Sequence, residues 1–299
     1  CPRGKMLGGS SSHNGMVHVR GNAMDFENWA QQGLNKWGYS SVLPYFKKSE
    51  CITGLDHNYR NDSGPLKLSR SENGNVLTQI YLKSAESAGY DINHDMNGYK
   101  QEGFGLMDTT ILNGKRQSAS VTYLHPVIHR KNLTVMTGNS VSKILIENNK
   151  ATGVECIIEN QLKNFYAEKE VLLSAGAINS PQLLILSGIG PEDQLKKYNI
   201  KPQSVLNGVG QNLQDHLETY VQYECKKPVT LYGSYNPVKM ALIGIQWFLF
   251  KNGIAAHSNL ETGGFVRSND MVDYPNIQYH FFPSLVLDHG RINPDRHSF

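Results

Sequence analysis

Residues 6–17 read MLGGSSSHNGMV and place a glycine pair, three serines, a histidine and an asparagine in one short turn. Gly8 and Gly9 allow the backbone to approach a ligand closely. The hydroxyls from Ser10 onward and the amide of Asn14 offer polar contacts. The stretch lacks the closing Gly-Lys-Ser/Thr of a P-loop. It therefore suits the pyrophosphate and ring edge of a dinucleotide, although a linker or an ordinary turn can have the same composition.

The composition is that of a soluble globular protein, because 39% of the 299 residues are hydrophobic and 18% are charged. This length allows one large domain or two ordinary ones. The formal net charge is +3, and without a basic tract no nucleic-acid partner is expected. The longest apolar run, MALIGIQWFLF at 240–250, is too short to cross a bilayer and predicts a buried helix.

Four widely spaced cysteines, Cys1, Cys51, Cys156 and Cys225, form no C-x-x-C pair. This spacing indicates neither a zinc site nor a disulfide framework, so we expect no metal and free, mostly buried thiols. The sequence begins CPRGK without an initiator methionine or a targeting segment. We therefore expect a fragment of a longer protein.

The period of the apolar residues changes along the chain. Helical spacing predicts helices over residues 24–32, 42–48, 76–88 and 117–130, the last bent at Pro126. Runs rich in Val and Ile predict strands over 133–137, 141–147, 152–159 and 165–174, with turns at Asn148-Asn149 and Asn160.

A further helix is expected within GAINSPQLLILSGIG, residues 176–190. Ser180 is its expected N-cap, and Pro181 is its expected first residue. Gly188 or Gly190 should end it. A strand that runs through a glycine turn into a helix is typical of α/β proteins that bring a helix N-terminus to a ligand.

Three long stretches together resemble the signatures of the glucose–methanol–choline (GMC) oxidoreductases, a family that binds FAD. They are GKMLGGSSSHNG (4–15), GAINSPQLLILSGIG (176–190) and GVGQNLQDH (208–216). Residues 95–126, 257–268 and 275–284 are similar to the choline-oxidising dehydrogenases of that family. The resemblance implies an α/β fold with α+β character, in which a Rossmann-like FAD-binding domain and an antiparallel-sheet substrate domain are both incomplete.

The resemblance also implies how the chain is divided. Residues 1–50 would form the FAD-covering loop and helices of the FAD domain, and residues 51–132 a mixed substrate-side and connecting segment. Residues 133–218 would be a further portion of the FAD domain, and residues 219–299 a portion of the substrate domain.

The cofactor residues implied by the resemblance lie mainly in the opening loop. They are Met6, Gly8, Gly9, Ser10, Asn14, Gly15, Met16 and Val17, with Val141 near the adenine end. For Val141, a plain strand residue is the alternative. His13 lies where related choline oxidases link a histidine covalently to the flavin, with a non-covalent contact or a solvent-facing side chain as the alternatives.

On the substrate side, choline carries a positive charge that no proton transfer can remove, so its site needs a carboxylate, aromatic faces or both. The resemblance implies that Glu261 faces the trimethylammonium group and that His280 hydrogen-bonds the substrate oxygen. The alternatives are an exposed strand residue in a salt bridge for Glu261 and an ordinary core histidine for His280.

The activity implied by the resemblance is oxidation of choline to betaine aldehyde by hydride transfer to flavin N5. The implied electron acceptor is a respiratory quinone, and the implied location is mitochondrial, with peripheral association to the inner membrane. No catalytic residue is assigned, since the family's C-terminal histidine and its His/Asn partner have no counterpart in these 299 residues. We therefore expect the isolated chain to be inactive.

Two alternatives to this activity remain. The protein could be another GMC alcohol oxidoreductase or a hydroxynitrile-lyase-like member that keeps FAD without redox turnover. It could also be a truncated product that does not catalyse. Glu261 argues against the lyase, because a neutral substrate has no use for a buried carboxylate.

Overall fold

The computed structural model describes residues 3–70 and 74–299, so the predicted free thiol of Cys1 lies outside the described residues. The chain divides into two compact units, one formed by Cys1–Arg130 with Tyr220–Phe299 and the other by Lys131–Thr219. Each unit is described by itself. The functions predicted for the four segments of the chain stay predictions.

Three of the α-helices among the described residues begin at an asparagine whose side chain caps them. Asn22 accepts the N–H of Met24 at 2.9 Å and donates its own N–H to Asp25 at 2.9 Å, which makes a capping box. Asn75 and Asn236 cap two further helices by accepting the N–H of Leu77 and of Val238, respectively. The helices are α1 Ala23–Gln31, α2 Tyr39–Ser49, α3 Val76–Ser87, α4 Gly176–Leu186, α5 Glu192–Lys197 and α6 Pro237–Phe250.

The β-strands are mostly short. They are β1 Val17–His18, β2 Glu50–Cys51, β3 Leu66–Lys67, β4 Gly103–Leu106, β5 Asp108–Thr109, β6 Ile111–Leu112, β7 Lys115–Arg116, β8 Ser140–Glu147, β9 Lys150–Ile158, β10 Gln161–Tyr166, β11 Ile189–Gly190, β12 Ser204–Val205, β13 Thr262–Val266 and β14 Ile277–Phe281.

An antiparallel sheet in the order β14-β13-β4 forms the centre of the first unit. Because side chains alternate along a strand, its two faces carry different residues. On one face, Phe104 and Val266 cluster with Ala85 of α3. On the other, Met107 and Phe265 cluster with Met96, and Val17 and Val19 pack against them. The end of the opening loop therefore lies on this second face.

The second unit is built on the antiparallel sheet β10-β9-β8. The predicted turns are confirmed, since Asn148 and Asn149 have φ of +50° and +60° and Asn160 has φ of +62°. The tight turn at Glu159-Asn160 pairs Gln161 with Ile158, so the third strand starts there. This strand ends at Tyr166, so the strand predicted over 165–174 is wrong beyond that residue. Residues 133–137, which were also predicted to be a strand, form none.

Two helix predictions need correction. Residues 117–130 form a π-helix over Ser120–Leu124 and a 3₁₀-helix over His125–Val127, because Pro126 has no N–H to continue an α-helix. The helix predicted to start at Pro181 is α4, which begins at Gly176. Ser180 Oγ accepts the N–H of Ala175 at 3.1 Å. The Ser180 side chain therefore bonds to the backbone that precedes it and does not cap a helix that follows it. The predicted end at Gly188 is confirmed, with Ser187 as the C-cap.

The predicted helix over 240–250 is confirmed as part of α6, but its predicted burial is wrong. None of its residues is buried, and Phe248 is 71% exposed. The indole N–H of Trp247 donates to the Gly114 carbonyl at 2.7 Å. Within residues 3–70 and 74–299, no helix combines the length and apolar character needed to cross a membrane.

The described cysteines are free thiols that differ in burial. Cys156 is buried, as predicted, whereas Cys51 and Cys225 are only half-buried. The expectation of mostly buried thiols is therefore wrong for two of these three residues.

Candidate functional site

The opening loop is shaped by its glycines and by its own serine hydroxyls. Gly8 and Gly9 have φ of +89° and +56°, in the left-handed region that favours glycine. A Cβ at Gly8 would lie 2.5 Å from Ser12 Oγ. Ser11 Oγ donates to the Gly8 carbonyl at 2.6 Å, and Ser12 Oγ donates to the Leu7 carbonyl at 2.8 Å. These two hydroxyls therefore hold the turn itself.

Arg116 holds the loop from outside and was missed in the sequence. Its Nη1 donates to the backbone and side-chain oxygens of Asn14, both at 2.8 Å, and to the Ser11 carbonyl at 3.2 Å. The N–H of Ala119 donates to Ser11 Oγ at 2.9 Å. Burial lowers the pKa of Arg116, although a guanidinium stays protonated in proteins. Its partners lie more than 100 residues away in sequence, so no local pattern marks it.

The predicted cofactor residues of the loop differ in exposure. Met6, Ser10, His13, Asn14 and Gly15 are exposed, whereas Gly8, Gly9, Met16 and Val17 are half-buried.

Open space and a strained residue mark the two ends of this loop. A Cβ at Gly9 would meet no atom within 4 Å, so a flat ring can approach the main chain there. Met16 has φ of +64°, which is uncommon for a residue with a side chain. Its carbonyl accepts the Thr110 N–H at 2.8 Å.

Val141 belongs to the second unit. It lies in β8 opposite Cys156, and its side chain is exposed.

Glu261 is a buried carboxylate, so its alternative as an exposed strand residue is wrong. It directly precedes β13, its carbonyl accepts the Met107 N–H at 2.7 Å, and its side chain is only 3% exposed. A Cβ at Gly15 would lie 3.2 Å from Leu260 Cδ1. The opening loop therefore contacts the residue next to Glu261.

His280 lies in β14 opposite Gly263 of β13. Because side chains alternate, it shares the sheet face of Glu261, Met107 and Phe265. Its side chain is exposed, so its alternative as a core histidine is wrong. The structure thus brings Glu261, His280 and the Val17 end of the loop to one face of one sheet.

His257 was also missed in the sequence. Its Nδ1 lies 3.3 Å from Glu261 Oε1. Burial lowers the pKa of His257. The sequence has a histidine four residues before the glutamate, a spacing that brings two side chains together on an α-helix. Here there is no α-helix, because Ile254–Ala256 is a 3₁₀ turn and Asn259 has φ of +61°. Spacing alone therefore did not predict that the two side chains meet.

A buried charge cluster supports the Val17 end of the loop. Glu50 Oε1 forms an ion pair with Arg20 Nη2 at 2.7 Å and accepts the Nε–H of Arg60 at 3.0 Å. Arg60 Nη2 donates to Asp108 at 2.6 Å and Nη1 to Asp95. Burial alone would raise the pKa of Glu50, but the neighbouring imidazole of His18, the hydrogen bond from Arg60 and the charges of Arg60 and Arg20 hold it at about 2.

This cluster reaches the loop through the sheet. Asp108 pairs with His18 in the β1–β5 ladder, and the N–H of Arg20 donates to Asn97 at 2.8 Å. The cluster therefore holds the chain that leaves the loop at Val17.

Curated relatives match nearly the whole chain. Choline dehydrogenase, mitochondrial, of Homo sapiens is 48% identical over 298 residues, which cover 100% of this chain and 50% of the relative. Oxygen-dependent choline dehydrogenase of Staphylococcus xylosus is 49% identical and covers 99% of this chain and 53% of the relative. The chain thus spans about half the length of the curated relatives it matches.

Solved structures share the fold. Pyridoxine 4-oxidase from Mesorbium loti has a TM-score of 0.83 and 25% identity, over 99% of this chain and 55% of that one. An FAD-dependent oxidoreductase from Chaetomium thermophilum has a TM-score of 0.78 and 30% identity, over 88% of this chain and 49% of that one. These similarities confirm the predicted α/β fold class.

The sequence model of the GMC oxidoreductases matches residues 1–218. This match covers well over half of the chain and includes the glycine–serine loop, α4 and the GVGQNLQDH stretch, which confirms the resemblance. The chain belongs to the GMC oxidoreductase family.

Proposed function

We propose that this chain contributes the cofactor loop and the substrate carboxylate of an FAD-dependent enzyme that oxidises choline to betaine aldehyde. The observation that carries the proposal is the buried Glu261 carboxylate on the same sheet face as Val17 at the end of the loop. The negative carboxylate is complementary to the positive charge of a quaternary ammonium group, which needs no hydrogen bond.

The loop fits the cofactor in two respects. The space beside Gly9 is open, since a Cβ there would meet no atom within 4 Å, and the exposed Asn14 and His13 side chains offer polar contacts. We propose that Met6, Gly8, Gly9, Ser10, Asn14, Gly15, Met16 and Val17 hold FAD, with Val141 at its adenine end. The exposed imidazole of His13 is the proposed point of covalent attachment.

When bound, FAD supplies the acceptor for the hydride of the alcohol carbon. Glu261 binds the trimethylammonium group and so fixes the opposite end of the substrate. His280 hydrogen-bonds the substrate oxygen from the same sheet face. We assign no catalytic base among these residues, and the isolated 299 residues are proposed not to turn over.

We also propose a respiratory quinone as electron acceptor and a mitochondrial location with peripheral membrane association. The name of the human relative supports the location. Bacterial relatives are named oxygen-dependent, so the rate of reoxidation by oxygen and by a soluble quinone should be compared. Faster reoxidation by oxygen would overturn the quinone assignment.

The proposed activity is tested with the longest natural protein that contains this sequence, purified with its flavin. Its visible absorbance is recorded anaerobically before and after choline is added. We expect the oxidised flavin bands to bleach. A normal flavin spectrum without bleaching would contradict choline as substrate and would leave another alcohol or the lyase alternative.

A further inference from the structure

The β6–β7 hairpin connects two parts of the first unit that lie far apart in sequence, the opening loop and helix α6. Ile111 pairs with Arg116 and Leu112 with Lys115, and Asn113-Gly114 forms the turn between the strands. Both turn residues have positive φ, +50° and +66°, as a type I′ hairpin turn requires. The turn type sets the register of the strands, so the tip and the base of the hairpin belong to one continuous ladder.

The base of the hairpin is bonded to the opening loop. The Thr110 N–H donates to the Met16 carbonyl at 2.8 Å, and the Gln117 N–H closes the base by donating to the Thr110 carbonyl at 2.8 Å. Beside them, Arg116 Nη1 donates to the backbone and side-chain oxygens of Asn14, both at 2.8 Å. The base therefore fixes Asn14 and Met16, two of the loop residues that we propose to hold FAD.

The tip of the hairpin is bonded to the last turn of α6. The indole N–H of Trp247 donates to the Gly114 carbonyl at 2.7 Å. A Cβ at Gly114 would collide with the carbonyl oxygen of Lys251, so a side chain there would push the tip away from the helix end. The Lys251 ammonium nitrogen lies 4.0 Å from the centre of the Trp247 ring, a cation–π contact that holds the indole in place.

A small cavity lies where the loop, the hairpin and the helix meet. Its volume is about 170 Å³, and Met16, Arg116 and Trp247 all line it. Close packing stabilises a contact only where atoms touch. Because part of this junction is open space, the position of the hairpin depends strongly on its hydrogen bonds, including the one from Trp247.

We propose that Trp247 is a positioning residue for the cofactor loop: its hydrogen bond fixes the tip of the β6–β7 hairpin, and Arg116 at the base transmits that position to Asn14. This inference rests on the proposed function, because it takes the loop to hold FAD. Trp247 acts through the hairpin and takes no part in transferring the hydride.

Four variants separate this role from a general loss of packing. Trp247→Phe keeps an aromatic ring and removes the hydrogen that Gly114 accepts. Trp29→Phe makes the same chemical change at a tryptophan of α1 that is 44% exposed, and it serves as the control. Arg116→Gln removes the contact between the hairpin base and Asn14. The double variant Trp247→Phe/Arg116→Gln shows whether the two residues act along one path, since independent effects would add as free energies.

The experiment uses the longest natural protein that contains this sequence, with His13→Ala in every variant so that no covalent link can form. The Kd of FAD is measured from the flavin fluorescence released on dilution, and thermal melting shows whether each variant is folded. We expect Trp247→Phe to raise the Kd about fivefold and Arg116→Gln to raise it about tenfold. In the double variant the Kd should rise about tenfold and not about fiftyfold, and in Trp29→Phe it should stay within about twofold.

Three results would overturn the inference. Trp247→Phe could leave the Kd of FAD unchanged, the effects of the two substitutions could multiply in the double variant, or Trp29→Phe could weaken binding as much as Trp247→Phe. A general loss of stability would lower the melting temperature of the FAD-free protein without this non-additive effect on the Kd. If the His13→Ala protein binds no FAD and the natural protein is not reduced by choline, the proposed function itself falls, and this inference falls with it.

Discussion

Glu50 and Glu261 are two buried carboxylates in the same unit, and they have different partners. The Glu50 side chain is 0% exposed and has the guanidinium groups of Arg20 and Arg60 within 3.0 Å. The Glu261 side chain is 3% exposed and faces the imidazole of His257 at 3.3 Å. The guanidinium groups beside Glu50 are permanently charged. The partner of Glu261 is an imidazole, and burial holds the pKa of this imidazole below its usual range.

This difference leads to different predictions for the two carboxylates. The charge of Glu50 is balanced inside the protein, so it fixes the chain segments that carry Arg20 and Arg60. Glu261 lies on the sheet face that also carries His280 and the Val17 end of the loop. The comparison therefore predicts that Glu50 matters for stability and that Glu261 matters for cation binding.

The largest effect should come from Glu50→Gln. It leaves two buried arginines without their carboxylate, which should lower the free energy of unfolding by about 3–5 kcal/mol. Urea denaturation measures this loss. The matched variant, Glu261→Gln, should cost about 1 kcal/mol or less, and equal losses in the two variants would break the comparison.

Acid should weaken the same cluster. The pKa of Glu50 is lowered from 4.5 to about 2 in the folded protein, so its contribution is fully present above pH 4.5 and is lost as the pH falls toward 2. This contribution is on the order of 3 kcal/mol. The free energy of unfolding should fall over this range more steeply in the unchanged protein than in Glu50→Gln. Parallel curves would show that Glu50 is not the titrating group.

Glu261→Gln should affect binding instead. Removing the charge opposite the trimethylammonium group should weaken tetramethylammonium binding about 100-fold, since breaking a buried charge pair costs 2 kcal/mol or more. Calorimetry measures this affinity, and kcat/KM for 3,3-dimethylbutan-1-ol, the neutral isostere of choline, is the internal control. If kcat/KM for the neutral alcohol fell as much as kcat/KM for choline, Glu261 would have a structural role like that of Glu50.

The smallest expected effect concerns the loop. Arg116→Gln removes the donor shared by Asn14 and Ser11, and should weaken FAD binding about tenfold. The affinity is measured from the flavin fluorescence released on dilution, with both variants made in a His13→Ala background in which no covalent link can form. Lys115→Gln changes an exposed neighbour and should leave the affinity unchanged. A similar loss in both variants would mean that Arg116 acts only through its charge.

The sequence predicted the features that depend on local patterns or on family motifs. The loop, the helices near α1 to α3 and the Asn148-Asn149 turn were found from residue types and spacing. The choice of Glu261 depended on the resemblance. Arg116, His257 and the cluster around Arg60 were missed because each is defined by contacts. Arg60 and Asp108, for example, are 48 residues apart in sequence.

Predicting burial from apolar composition failed at α6, and predicting a helix start from Ser-Pro failed at α4. In α6 the composition is apolar on every side, so the sequence does not show which side is covered. In α4 the hydroxyl of Ser180 bonds to the residue five positions before it. A serine side chain has several backbone partners within reach, and the sequence does not choose between them.

The exposed α6 helix has a practical consequence for the colloidal behaviour of this chain. Side chains such as Met240, Leu242 and Phe248 are more than half exposed, and exposed apolar patches of this kind promote association as concentration rises. Light scattering of the 299-residue chain should therefore increase with concentration and fall when a mild non-ionic detergent is added. Calorimetric titrations on this chain should therefore be carried out at low micromolar concentration, with the same detergent concentration in the cell and in the syringe.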